Sequence, residues 1–213
     1  MEGKIFVINL ARRSDRWIRW TDEARKWGVD TYTRFEAVDG QQLNLTDEVK
    51  YLFRDNDFNN NPYVMGCALS HFLLWMQQAE NEYPYMVVFE DDAQFTRRFV
   101  IPDLPWGWDL FYFGGTRLPN IYPPGEYVKD HVMIPKLTPP QFFSSVCYMV
   151  SLDGVKKILM HANANGLGKN VDRFLMDLHT QLNVFCYAPL PVFADYSYGT
   201  DILNKPLSLE GEI

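Results

Sequence analysis

Apolar and polar positions along this chain switch repeatedly between two periods, and the switching predicts the architecture. Lys4 to Leu10 is a short β-branched apolar run of the kind that forms a fully buried strand. Beyond it Trp17, Trp20, Ala24 and Trp27 recur on one helical face, with Ser14 or Asp15 able to cap the start and Gly28 placed to end it. Thr33 to Val38 reads as a second strand closed by the turn signal Asp39-Gly40, and residues 44–62 as a polar loop. Met65, Leu69, Phe72, Leu73, Met76 and Ala79 mark an amphipathic helix. Tyr85 to Phe89 is the most strand-like segment and runs straight into Glu90-Asp91-Asp92. Further strands are expected at Asp109 to Phe113, Phe142 to Ser151 and Val184 to Ala188. Two more helices carry Val155, Ile158, Leu159 and Ala162, and then Val171, Phe174, Leu175, Leu178 and Leu182.

Strands alternating with helices predict an α/β fold with a mostly parallel central sheet and helices on both faces. In such sheets ligands sit beyond the C-terminal ends of the strands. Three of those ends are polar here: Asn9 onward, Asp39-Gly40 and Glu90-Asp91-Asp92. Residues 117–140 hold six of the 13 prolines and read as a long irregular loop at the ligand-bearing edge.

Composition narrows the picture. With 213 residues and 47% hydrophobic side chains, the chain suits one folded domain, whole or cut from a longer protein. A net charge of −7 argues against nucleic acid as the main partner, since phosphate binding needs a basic face. No apolar run approaches the ~20 residues of a membrane helix. Met1-Glu2-Gly3-Lys4 also lacks the features of a secretion signal, so a soluble cytoplasmic protein is expected. Cys67, Cys147 and Cys186 then read as reduced core thiols, and Asn44-Leu45-Thr46 as an incidental sequon.

The acidic strand end is the strongest chemical signal. In extended geometry Glu90 and Asp92 point together and Asp91 points away. Three adjacent carboxylates repel unless a divalent cation sits among them, and oxygen ligands suit Mg²⁺ and Mn²⁺. The plain alternative is a solvated turn whose aspartate caps the next element. Other motifs fail: Gly166-Leu167-Gly168-Lys169-Asn170 lacks the first glycine and the hydroxyl of a phosphate loop, and His71, His131, His161 and His179 have no ligand spacing.

Several blocks, taken in order, resemble glycosyltransferase family 25, the lipopolysaccharide-biosynthesis and collagen-galactosyltransferase group, and are similar to chlorovirus glycan-building enzymes. They are Val7-Ile8-Asn9-Leu10-Ala11-Arg12-Arg13-Ser14-Asp15-Arg16-Trp17, Phe35-Glu36-Ala37-Val38-Asp39-Gly40, Gly66-Cys67-Ala68-Leu69-Ser70-His71 and Val88-Phe89-Glu90-Asp91-Asp92-Ala93. Trp108 to Gly114, Tyr148 to Ser151 with Gly154, Asn170-Val171-Asp172 and Gly199-Thr200-Asp201-Ile202 follow. The closing block has Thr200 where serine is usual, and 117–140 matches no block.

The resemblance implies a GT-A fold, with Glu90-Asp91-Asp92 as a variant of the D-x-D motif. It implies inverting transfer of a sugar from a nucleoside diphosphate donor, a UDP-sugar by preference, to a hydroxyl of a glycan acceptor in surface-glycan synthesis. Mn²⁺ or Mg²⁺ would be held by Asp92 and Glu90, with Asp201 closing from the C-terminal side. Asp91 would reach the ribose, Asn9 and Leu10 would touch base and ribose through their backbone, and Arg13 would meet the diphosphate. Asp39 and Gly40 belong to the donor side, as do Ser70 and His71, read as opening the third helix near its anion-favouring N-terminus. Asp172 is the implied general base, and Trp106, Trp108, Tyr122 and Tyr127 could offer flat faces to a sugar. Arg13 and Asp172 have simpler readings, as an exposed helix-start arginine and as favourable charge in a first helical turn. The competing function is a catalytically idle sugar-nucleotide or glycan-binding module of the same fold; a phosphotransferase lacks the nucleophile context.

Overall fold

A computed structural model describes residues 2–115, 124–136 and 143–201. The chain opens with β1 (Lys4–Asn9), α1 (Ser14–Trp27) and β2 (Thr33–Glu36). The helices α2 (Asp47–Leu52) and α3 (Pro62–Glu80) follow, then β3 (Tyr85–Glu90) and β4 (Ala93–Phe95). Next come β5 (Leu110–Tyr112), β6 (Gly114–Gly115), β7 (Gly125–Lys129), β8 (Val132–Pro135) and β9 (Cys147–Ser151). The described chain ends with α4 (Leu152–Asn165), α5 (Val171–Asp177), β10 (Val184–Tyr187) and β11 (Val192–Ala194).

Eight strands form the main sheet in the order β2-β1-β3-β9-β5-β10-β8-β7. β1 runs parallel to β2 and β3, and β5 parallel to β10. β9, however, lies antiparallel between β3 and β5, and β8 antiparallel to β10. The sheet is therefore mixed rather than mostly parallel. An apolar run buried on both faces reads the same in either direction, so the sequence pattern could not assign strand polarity.

Helices cover both faces, as expected. On one side Leu74 and Trp75 of α3, Ile158 of α4 and Phe174 of α5 share a core with Phe6, Val88 and Tyr148. On the other, Trp20 and Ala24 of α1 pack with Phe89, Phe111 and Phe113 under the small sheet β4-β11-β6. Gly28 ends α1 in the left-handed conformation, φ 81°, where a Cβ would be strained. The expected cap at Ser14 or Asp15 is not used: Arg13 occupies the N-cap position and makes no side-chain cap bond.

Two stretches read as loops contain structure. Thr46 accepts a hydrogen bond from Val49 N and starts the short helix α2. Within the proline-rich stretch, β7 and β8 form a hairpin that adds to the sheet at β10, while 117–123 and 137–140, with Tyr122, lie outside the described residues.

Candidate functional site

The parallel register of β1 and β3 sets Ile8 opposite Glu90, so both strands end at the same level. Asn9 and Asp91 follow them out and meet side by side, Asn9 Nδ2 donating to Asp91 Oδ2 at 2.6 Å. α1 starts a few residues later and turns Arg16 back over this junction. Its Nη1 lies 2.8 Å from Asp91 Oδ1 and its Nη2 donates to the Gly199 carbonyl at 2.5 Å. Burial pushes the Asp91 carboxyl up in pKa, opposed by Arg16 and Asn9. Asp91 is thus committed to the protein's own Arg16 and Asn9. Asn9 is buried and saturated as well: its Nδ2 also donates to the Arg13 carbonyl and its Oδ1 accepts from Arg34.

Glu90 faces the opposite way, toward α3. Its Oε1 lies 3.2 Å from His71 Nε2, while His71 Nδ1 lies 2.9 Å from the Tyr148 hydroxyl. Trp75 Nε1 donates to that hydroxyl at 2.9 Å. An indole can only donate, so Tyr148's own proton can go to His71 Nδ1, which directs the Nε2 proton at Glu90. Burial alone would raise the Glu90 pKa, but the hydrogen bond from His71 holds it below the usual carboxylate range.

Asp92 is in the reverse position. Burial first, then the Glu90 charge, push its pKa up to about 8 against the pull of Arg16. Its Oδ1 is buried with no hydrogen-bond partner among the described residues. A buried acceptor left over beside a second carboxylate is what an oxygen-preferring divalent cation would satisfy, so Glu90 and Asp92 fit such an ion.

His71, Glu90, Asp91 and Asp92 line one cleft together with Leu10, Arg12, Arg16, Asp39, Gly40, Tyr63, Ser145, Asp172 and Asp201. Arg12 Nε binds Asp39 Oδ2 at 2.9 Å and its Nη1 binds Asp201 Oδ1 at 2.6 Å. Arg13 pairs with Asp15 and Asp201, which strongly raises its own pKa and lowers Asp15 to about 2. Asp201 is accordingly held by two arginines at the rim. Asp172, in the first turn of α5, accepts the Ser145 amide at Oδ1 at 2.6 Å, and burial and then Glu90 raise its pKa.

Ser70 and His71 do not open a helix. Asn61 caps α3 and Pro62 begins it, so both lie well inside. Ser70 Oγ accepts from Val38 N at 2.8 Å and donates to the Gly66 carbonyl at 2.7 Å. Asp39 caps the Gly40–Gln42 turn, and a Cβ on Gly40 would fall 2.1 Å from the Pro62 carbonyl. That close approach is a packing reason for Gly40, beside its place in the cleft wall. Among the aromatic candidates Trp106 is fully exposed, Tyr127 stands on the outer hairpin and Trp108 packs against the core; none of these three lines the cleft among the described residues. Arg12 and Arg16 are cleft residues that the sequence reading did not select. The available signal was their position just after the end of β1, Arg12 in the turn before α1 and Arg16 in its first turn, since ligand sites of α/β sheets lie beyond strand ends.

The profile of glycosyltransferase family 25 (LPS biosynthesis protein) matches residues 2–101. Procollagen galactosyltransferase 2 from Homo sapiens is 30% identical over 192 residues, 81% of this chain and 29% of that protein. A glycosyltransferase 25 family member from Aedes aegypti is 32% identical over 171 residues, 73% of this chain and 27% of that one. The chain thus spans less than a third of these relatives' length. In fold it is similar to a glycosyltransferase involved in glycosylation of the major capsid of PBCV-1, with TM-score 0.50, 8% identity and coverage of 94% and 95% of the two chains. No helix among the described residues is long and apolar enough to cross a membrane.

Proposed function

Because this chain belongs to glycosyltransferase family 25, we propose that it transfers a sugar, with inversion, from a UDP-sugar to a hydroxyl of a glycan acceptor. The observation that carries this reading is the unpartnered Asp92 Oδ1 beside Glu90, at a strand end that opens into the same cleft as Asp172. Galactose is the donor sugar we favour, on the name of the human relative. A surface-glycan pathway and a cytoplasmic setting complete the proposal. The burial of Cys147 and Cys186 as core thiols supports a reducing compartment.

Glu90 and Asp92 would hold Mn²⁺ or Mg²⁺, which when bound supplies positive charge against the diphosphate leaving group. His71 keeps Glu90 ionised and aimed for that task. Arg12, at the cleft wall, would exchange part of its pairing with Asp39 and Asp201 for donor phosphate oxygens. Asp172 is the base: Ser145 N occupies Oδ1, which leaves Oδ2 to take the acceptor proton. Its raised pKa makes it a better proton acceptor than an ordinary aspartate.

The test is UDP release from a panel of UDP-sugars, with and without Mn²⁺. Release from at least one UDP-sugar, dependent on the cation and accelerated by a glycan acceptor, is expected. A folded protein that binds UDP but releases none would favour the idle binding module.

A further inference from the structure

Beside the oxygen pair lies a group of different chemistry. Cys67 and His71 are four residues apart on α3 and share one face of the helix, which looks onto the end of β3. Cys67 Sγ, a His71 ring nitrogen and a Glu90 carboxylate oxygen all lie within 4.8 Å of one another. We propose that Cys67, His71 and Glu90 form a second metal site, selective for Zn²⁺ and similar soft cations, that competes with the oxygen site for Glu90.

The donor set makes the choice of ion. Magnesium and manganese take oxygen ligands, whereas thiolate with imidazole selects zinc. Zinc bonds of about 2.0–2.3 Å in a tetrahedron place donor atoms about 3.3–3.6 Å apart. His71 Nε2 and Glu90 Oε1 already stand 3.2 Å apart, so that pair is close to the required spacing. The separations in the group, up to 4.8 Å, would have to shorten on binding, and Cys67, half-buried and lining the cleft, is the side chain with room to move. Cys67, His71 and Glu90 all line the cavity that Asp172 also lines, so a fourth zinc position would be reached from it.

The shell behind His71 suits a ligand as well. Metal-bound histidines are held by a hydrogen bond at the other ring nitrogen, and here Tyr148 Oη lies 2.9 Å from Nδ1 in a fully buried setting. Without metal, Nε2 carries the proton directed at Glu90. On binding, the ring changes tautomer: the Nε2 proton leaves to solvent and Nε2 bonds to the ion, while Nδ1 takes up a proton and donates it to Tyr148, whose hydroxyl turns its own proton away from the ring. The thiol proton of Cys67 leaves to solvent. Because Glu90 serves both sites, zinc here excludes the oxygen-bound cation.

Cobalt reads the site directly, since a cysteine ligand to Co²⁺ adds an intense near-ultraviolet sulfur-to-metal band that oxygen ligands cannot give. The metal-free protein is titrated with Co²⁺, alongside Cys67→Ser and Cys67→Ala, each checked for a cooperative melt. The band should appear in the unmodified chain at one equivalent, vanish in both variants, and be displaced by Zn²⁺ but not by Mg²⁺. Zinc affinity should fall at least about tenfold in Cys67→Ser. Cobalt binding with no sulfur band, or a band that survives both substitutions, overturns the proposal. So does Zn²⁺ and Mn²⁺ binding without competition. None of these readouts depends on the transfer activity proposed above.

Discussion

Arg16 meets Asp91 at 2.8 Å with both side chains buried, and this pair joins the first helix to the end of the central strand. Removing one partner of a buried pair leaves an uncompensated charge, which costs about 3–5 kcal/mol. Arg16→Met should therefore destabilise the chain by about that amount in urea unfolding. Adding Asp91→Asn removes the stranded charge and should recover most of the loss. If the double variant is as unstable as the sum of the two singles, the pair is not coupled and its assignment as a structural joint fails.

Asp92 gives stability a pH dependence of known sign. Its folded pKa of about 8 lies above that of an ordinary aspartate, near 4. The folded chain holds a proton that the unfolded chain has released, so this contribution is intact below about pH 4 and is lost as pH rises toward 8. Asparagine mimics the protonated form, so Asp92→Asn should remove that part of the slope and be the more stable protein at pH 8 without metal. Urea unfolding of both proteins at pH 5 and pH 8 measures it. An unchanged slope in the variant would place the titration elsewhere.

Asp172→Asn keeps an oxygen for Ser145 N but cannot take a proton. Transfer to acceptor should fall by roughly 10²–10⁴ while UDP affinity holds within about twofold. Equal loss of binding and turnover would assign Asp172 to the donor site instead.

Much of this was legible in the sequence, and the failures share a cause. Periodicity located the three long helices α1, α3 and α4 and the strand that delivers Glu90, because buried faces leave a direct imprint on side-chain type. The acidic strand end and Asp172 reached one cleft because ligand sites in α/β sheets gather where strands end. Strand direction left no such imprint, and β9 came out antiparallel. Tertiary partners were equally silent. Nothing local announces that Asp91 is consumed by Arg16, that Ser70 ties α3 to Val38, or that Tyr148 backs His71 from a strand 77 residues away. The hairpin Gly125–Pro135 was hidden by its flanking prolines: Pro124 stands just before β7 and Pro135 is the last residue of β8, so neither interrupts the middle of a strand.

The central claim is that Glu90 and Asp92 hold a cation that a nucleoside diphosphate needs. It is tested most directly by calorimetric titration of UDP into the metal-free protein, without and then with Mn²⁺, repeated on Asp92→Asn. The account predicts weak binding of UDP alone and at least about tenfold tighter binding with Mn²⁺, lost in the variant. GDP should show no comparable gain. UDP binding that is equally tight with and without the cation, or a gain that persists in well-folded Asp92→Asn, would contradict it.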